Sequence, residues 1–286
     1  FLRSEWSTTI VNAHQLQLMA LDLTKSYTLG ADISMSELSS ASGLWNTGMG
    51  FVPVGNKSTP FTGTFDGQNK TITDLVISRS GEDYVGLFGY IGSGGTVSNV
   101  GLVNGSVQGR NDVGQLAGFN LGTITKGYTT GSVSGNWGVG GLVGFNAGTI
   151  TKSYATGNVS GTNDVGGLAG GNYGSIANTY AWGEVTGSSG AYYVSALVGY
   201  IAGPGTVSYS YATGAVFGGK NDIGGLIGGS RGSTTNSYWD AETTGQTFSA
   251  GGAGKTDTQM KTASTYTGWD TASIWNIVDG NYPTLK

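Results

Sequence analysis

The residues able to do chemistry in this 286-residue chain are few and widely spaced. Its one histidine, His14, has no second imidazole and no cysteine to join it. A catalytic triad or a histidine metal site needs such partners, so His14 reads as structural. Gly254-Lys255-Thr256 resembles the end of a phosphate-binding loop. The glycine required five positions before the last one is Ser249, however, so the stretch reads as a loop into a helix capped by Thr256. Four carboxylates recur in step: Asp83, Asp112, Asp164 and Asp222 each stand four residues before a repeated leucine. Stacked carboxylates can chelate calcium or act as an acid–base pair. Gly138 and Tyr193 interrupt the column, leaving Asp83 and Asp112 as the neighbouring pair and the calcium candidate. Asn-Asp before Val/Ile-Gly is also ordinary turn chemistry, which is the preferred reading, and no cofactor or metal is expected.

Aromatic residues offer a second kind of chemistry. Trp182 replaces the threonine found at 130, 156 and 213, and Trp137, Tyr192, Tyr193 and Phe217 fall in corner segments; such rings either stack on sugars or pack on neighbouring coils. Thr123-Ile124-Thr125 and Thr149-Ile150-Thr151 align as ice-binding threonine arrays do, but the next units read Ser175-Ile176-Ala177 and Thr206-Val207-Ser208.

The elements that must position these groups are set by composition and period. Glycine supplies 54 residues, proline 4 and cysteine none, while 10% are charged and 37% hydrophobic. That is too apolar for disorder and too poor in proline for collagen. With net charge −4 and no basic cluster, the phosphate-neutralising patch of a nucleic-acid binder is missing. Glycine and polar residues break every apolar run, so membrane insertion is not expected. Phe1 rather than methionine opens the chain, so a processed or excised product without its signal peptide is expected.

A repeat is plain from about residue 81 to 240. Leu87, Leu116, Leu142, Leu168, Leu197 and Leu226 recur at spacings of 29, 26, 26, 29 and 29. Tyr128, Tyr154, Tyr180, Tyr211 and Tyr238 form a second column, with Leu102 in that place one unit earlier. Val107, Val133, Val159, Val185 and Val216 form a third. Each unit holds three short apolar segments too short for helices, and strands rise about 3.3 Å per residue, so one unit makes one three-sided coil. Coils stacked at about 4.8 Å turn the columns into inward or tightly stacked ladders. Glycine is expected to supply positive φ at corners and close backbone approach between coils. The spacing therefore predicts an all-β fold, a right-handed parallel β-helix forming a three-sided solenoid.

The flanks read as caps. Residues 12–20 form a short amphipathic helix with Asn12 as N-cap, and residues 256–263 a second one before an aromatic stretch containing Trp269 and Trp275. The division is an N-terminal cap and first coils over 1–80, repeat coils over 81–240 and a C-terminal cap over 241–286, in one continuous domain. Phe1 to Val11 carries Leu2, Trp6, Ile10 and Val11. This apolar segment either packs on the first coil or donates a strand to a second copy.

Val139-Gly-Gly-Leu-Val-Gly144 followed by Gly148-Thr-Ile-Thr-Lys-Ser-Tyr-Ala-Thr-Gly157 resembles the GLUG motif repeats of bacterial surface proteins. Phe61-Thr-Gly-Thr-Phe-Asp-Gly67 and Ser237-Tyr-Trp-Asp-Ala-Glu-Thr-Thr-Gly245 are similar to segments of filamentous-hemagglutinin-like exoproteins. The resemblance implies a secreted or cell-surface location and a non-catalytic adhesin or stalk. Its partner would be a glycan or protein on another surface. The alternative is a structural subunit of a self-assembling extracellular filament, whose partners are copies of itself. A polysaccharide-degrading enzyme and an ice-binding protein are the further alternatives.

Overall fold

The computed structural model describes residues 2–39, 45 and 48–286. In one coil, Val143–Asn146, Thr149–Ala155 and Val159–Gly166 lie on three successive faces, named C, A and B in that order. Neighbouring strands on each face run parallel and in register, as in Ile124–Ile150–Ile176 on face A and Val133–Val159–Val185 on face B. Among the described residues, face A has 13 strands, face B nine and face C six, so face A outruns the others at both ends. Its outermost strands are Thr9–Ile10 and Ala253–Lys255. Stacking thus runs through both flanking regions and not only through residues 81–240. The 29-residue coil that follows Leu168 carries its extra residues between Gly187 and Tyr192, at a corner where no ladder is broken.

The core is columnar. All six repeat leucines are fully buried, and their amides link consecutive coils: Leu142 N donates to Leu168 O at 2.9 Å, and Leu168 N to Leu197 O at 2.9 Å. The valine column is buried as well. At the corner between faces C and A, Asn120, Asn146 and Asn172 form a buried amide ladder. Asn120 Nδ2 donates to Asn146 Oδ1 at 2.8 Å, and Asn146 Nδ2 to Asn172 Oδ1 at 2.9 Å. Such ladders satisfy buried amides only where coils stack in register. Ile91 and Ile201 occupy the same position in the coils on either side.

One expectation needs correction. Leu102 is not in the tyrosine column: the register sets Tyr128 against Gly101 and Thr129 against Leu102, so Leu102 points inward. Repeat glycines do supply positive φ, as at Gly94, Gly105 and Gly203, but share that task with other residues. In the coils Asp112, Asp164, Lys126 and Lys152 hold left-handed backbone at φ 50–52°, with Gly138 as one glycine among them. Repeat glycines serve close approach: a Cβ on Gly157 would collide with the carbonyl oxygen of Gly131 in the preceding coil.

At the N-terminal end, helix Ala13–Leu18 is capped by Asn12, whose side chain accepts from Gln15 N at 2.9 Å. His14 lies between the carboxylates of Glu5 and Glu37, at 3.7 and 3.4 Å. Of the N-terminal apolar residues, Ile10 is fully buried beside Leu29, and Trp6 Nε1 donates to the Tyr27 hydroxyl at 3.3 Å. Leu2 and Val11 remain exposed, because alternation along the edge strand turns Ile10 in and Val11 out. Phe1 lies outside the described residues.

At the other end, Ala253–Lys255 pairs with Tyr238–Asp240 as a strand rather than a loop, and Thr256 then caps helix Asp257–Met260. Instead of closing only the last coil, the remaining chain doubles back along the outside of face A. Trp269 Nε1 donates to Asn236 O at 3.1 Å, Trp275 Nε1 to Asn178 Oδ1 at 3.1 Å, and the Tyr211 hydroxyl to Pro283 O at 2.6 Å. A second apolar core results, built from Tyr180, Tyr211, Met260, Tyr266, Trp269 and Trp275.

Candidate functional site

Each face presents a different exterior. On face A the tyrosine column points outward and stacks tightly: Tyr128–Tyr154 at 5.0 Å, Tyr154–Tyr180 at 4.6 Å and Tyr180–Tyr211 at 5.3 Å, with interplanar angles of 7°, 5° and 20°. It begins over Gly101, where a side chain would clash with the Tyr128 ring. Tyr238 joins through Trp269, at 6.1 Å. The returning C-terminal segment covers Tyr180 and Tyr211, and burial pushes the Tyr211 hydroxyl well above its ordinary pKa. Trp182 belongs to this closure: its Nε1 donates to the Tyr211 hydroxyl at 2.9 Å and its ring lies 4.9 Å from Tyr180. A cleft of about 360 Å³ remains between Trp182 and the segment, lined also by Asn276, Val278, Asn281, Tyr282 and Thr284. The Tyr282 hydroxyl is pinned between Asp240 Oδ2 at 2.7 Å and Asp257 Oδ1 at 2.6 Å, and Lys261 pairs with Asp257 at 2.7 Å.

Face C carries a ladder of its own, Tyr90–Phe119–Phe145, stacked at 4.6 and 5.2 Å and ending where Phe145 lies over Gly171. Beside it runs the acidic column, and the calcium pair dissolves there. The bridge Val85–Val113 sets Tyr84, not Asp83, level with Asp112, because the first coil has one residue fewer before its leucine. Asp83 instead grips the Arg110 guanidinium through both oxygens, at 2.8 and 2.7 Å, and Arg110 holds its pKa below the usual carboxylate range. Burial, with the charges of Asp83 and Asp164 behind it, pushes Asp112 up to about 7, and burial pushes Asp164 up to about 6. Among the described residues no three His, Cys, Asp or Glu side chains are grouped to hold a metal ion.

Face B differs from both: among the described residues it carries an open groove with a largely polar lining. Ser106, Ser132, Asn158 and Glu184 form one outward column and Gln108, Ser134, Ser160 and Thr186 the next, together lining a groove of about 360 Å³. Past the bend that follows lies a column aligned by strand register: Asn111, Trp137, Asn163, Tyr192 and Asn221. Trp137 is 56% exposed and Tyr192 43%, and Asn163 Oδ1 accepts from Tyr192 N at 2.9 Å. Amide and aromatic alternate, one per coil. Of the sequence-predicted aromatics, Trp137 and Tyr192 are thus brought together, whereas Trp182 serves the face A closure. Tyr193 turns the other way, its ring 4.8 Å from Tyr200 and over Gly229. Phe217 continues the Thr186 column at the last coil and is exposed. Asn111, Asn163, Asn221 and the groove polars escape a sequence reading because asparagine and serine near glycine read as turns. Their signal is the alternation, visible only once the coils are in register.

Comparison with known proteins agrees with this architecture. The model of the GLUG motif matches residues 135–160. Halomucin of Haloquadratum walsbyi is 48% identical over 102 residues, 35% of this chain and 1% of that protein. A protein named for its Gly-rich, membrane character from Evansella cellulosilytica is 39% identical over 87 residues, 28% of this chain and 10% of that one. The chain thus spans a small part of the length of either relative. Among solved structures, a Bacteroides ovatus protein described as an immunoglobulin A1 protease superposes with a TM-score of 0.71 at 23% identity, covering 97% of this chain and 91% of its own. A second, described as an IgA1 protease, gives 0.63 at 19% identity over 90% of this chain and 20% of its own. At such identities the likeness is one of fold. The chain carries the GLUG motif at residues 135–160, within a solenoid whose neighbouring coils repeat its columns.

Proposed function

We propose that this chain is a non-catalytic extracellular module of a surface protein, an adhesive stalk whose face B groove recognises a glycan or protein on another surface. One observation carries the reading. The same chain that spends its C-terminal segment sealing the face A aromatics leaves Trp137 and Tyr192 bare beside a polar groove. Large exposed aromatics two coils apart beside a polar groove mark a contact surface. The groove's lining residues include one carboxylate, Glu184, where glycoside hydrolysis uses two. The relatives named halomucin and Gly-rich membrane protein support a place outside the cell.

The test is adherence of the purified chain to bacterial and host cell surfaces, with Trp137→Ala and Tyr192→Ala as probes. Adherence that survives both substitutions in a folded protein removes the reading. A filament subunit is the second reading, supported by Thr9–Ile10 as the outermost strand of face A, beside the exposed Leu2 and Val11. Discrete particles of one length by negative-stain microscopy, at high concentration, would exclude it.

A further inference from the structure

We propose that the occupant of face B is an uncharged, extended polysaccharide of β-1,4-linked type, lying parallel to the solenoid axis with one sugar per coil. This rests on the recognition reading above and names its ligand class. The argument starts from the column Asn111, Trp137, Asn163, Tyr192, Asn221. Coils repeat at about 4.8 Å, so the two exposed rings stand about 9.6 Å apart along the axis, with an amide between them and one beyond each. Successive sugars of an extended β-1,4-linked chain are turned over relative to each other. Every second ring therefore presents the same face, and the disaccharide is the true repeat. Two coils match that repeat in length and in alternation: aromatic faces meet sugar faces at every second unit, and amides meet hydroxyls at the units between.

A helical α-1,4-linked chain would not keep one sugar per coil. The groove beside the column supplies Ser132, Ser134, Asn158 and Ser160, groups that exchange hydrogen bonds with hydroxyls in either direction. Charge selects further. Arg110 is consumed by Asp83, and the charged side chain lining the groove is the carboxylate Glu184. An anionic polysaccharide is repelled where a neutral one is not.

Calorimetry with three six-sugar probes tests this: a β-1,4-linked glucose hexamer, its α-1,4-linked counterpart and a β-1,4-linked uronic acid hexamer. Binding of the first alone is expected, with Trp137→Ala and Tyr192→Ala each weakening it about tenfold. The spacing is tested separately by the double substitution Asn111→Trp and Trp137→Asn, which leaves Asn163 intact and moves the rings from two coils apart to three. Loss of binding with an unchanged melting temperature supports the commensurate fit, and retained binding overturns it. Preference for the α-linked or the anionic hexamer through the same two aromatics also overturns the proposal while leaving surface recognition standing. No binding to any hexamer, together with Trp137-dependent adherence to a protein, overturns it too. Adherence indifferent to both aromatics removes the recognition reading itself.

Discussion

Trp275 Nε1 donates to Asn178 Oδ1 at 3.1 Å across 97 residues of sequence, binding the C-terminal segment to a coil well before the end of the stack. Trp275 is fully buried by this contact, between Tyr180, Tyr211 and Trp269. The segment is therefore a strap along the side of the solenoid as well as a plug at its end.

Trp275→Ala should cost about 3–5 kcal/mol, as for other buried large aromatics. Denaturant unfolding followed by tyrosine and tryptophan emission checks this. A loss below about 1 kcal/mol would mean that the strap contributes little to holding the last coils.

Leu142→Ala and Leu168→Ala should each destabilise by about 2–5 kcal/mol, since both side chains are fully buried in an in-register stack. The same replacement at Leu2, which is 68% exposed, should change stability by less than about 0.5 kcal/mol. Equal effects at the two kinds of site would contradict the assigned interior.

Asp112 gives a pH dependence of definite sign. Its folded pKa of about 7 lies above the ordinary 3.8, so the folded state binds more protons between those values and loses stability as pH rises through that window. Asp112→Asn removes the penalty and keeps a residue that tolerates the left-handed backbone at φ 52°. Its melting temperature should match the parent near pH 4 and exceed it at pH 8 by at least about 2–4 °C, the shift for each 1 kcal/mol in a chain of this size, against about 4 kcal/mol for the full displacement. A gain confined to acid would reverse the assigned direction.

Chelator should leave the melting temperature unchanged. A calcium ion held at 100 times its Kd would contribute about 2.7 kcal/mol, and its removal would lower the midpoint by about 5–10 °C. Calorimetric scans with and without EDTA distinguish the two. A drop of that size would restore a metal site at the acidic column.

Much of this fold is legible in the sequence because burial acts on columns. Leu87 to Leu226 and Val107 to Val216 recur at positions where only an apolar side chain fits, and their spacing alone yields coil, face and core. Legibility fails where coils differ in length or where the residue type is ambiguous. One residue fewer before Leu87 misplaces Asp83 against Asp112, and Leu102 slips by one against Tyr128. Asn111 and Asn163 look like turn residues until the register lines them up with Trp137 and Tyr192. The strap is invisible for another reason: no local pattern in residues 261–286 records that their partners are Asn178 and Tyr211.

The asparagine ladder has a consequence for how such a chain finds its own order. Coils this alike can stack on the wrong neighbour, since leucine meets leucine whichever coils are joined. Asn120, Asn146 and Asn172 bond one another and nearby carbonyls as well, Asn172 Nδ2 donating to Thr206 O at 3.1 Å beside Ile201. A coil carrying isoleucine stacked between two of them would break one amide–amide bond, a fault costing about 0.5–1.5 kcal/mol. The three amides thus favour keeping their coils together as one block among otherwise interchangeable ones.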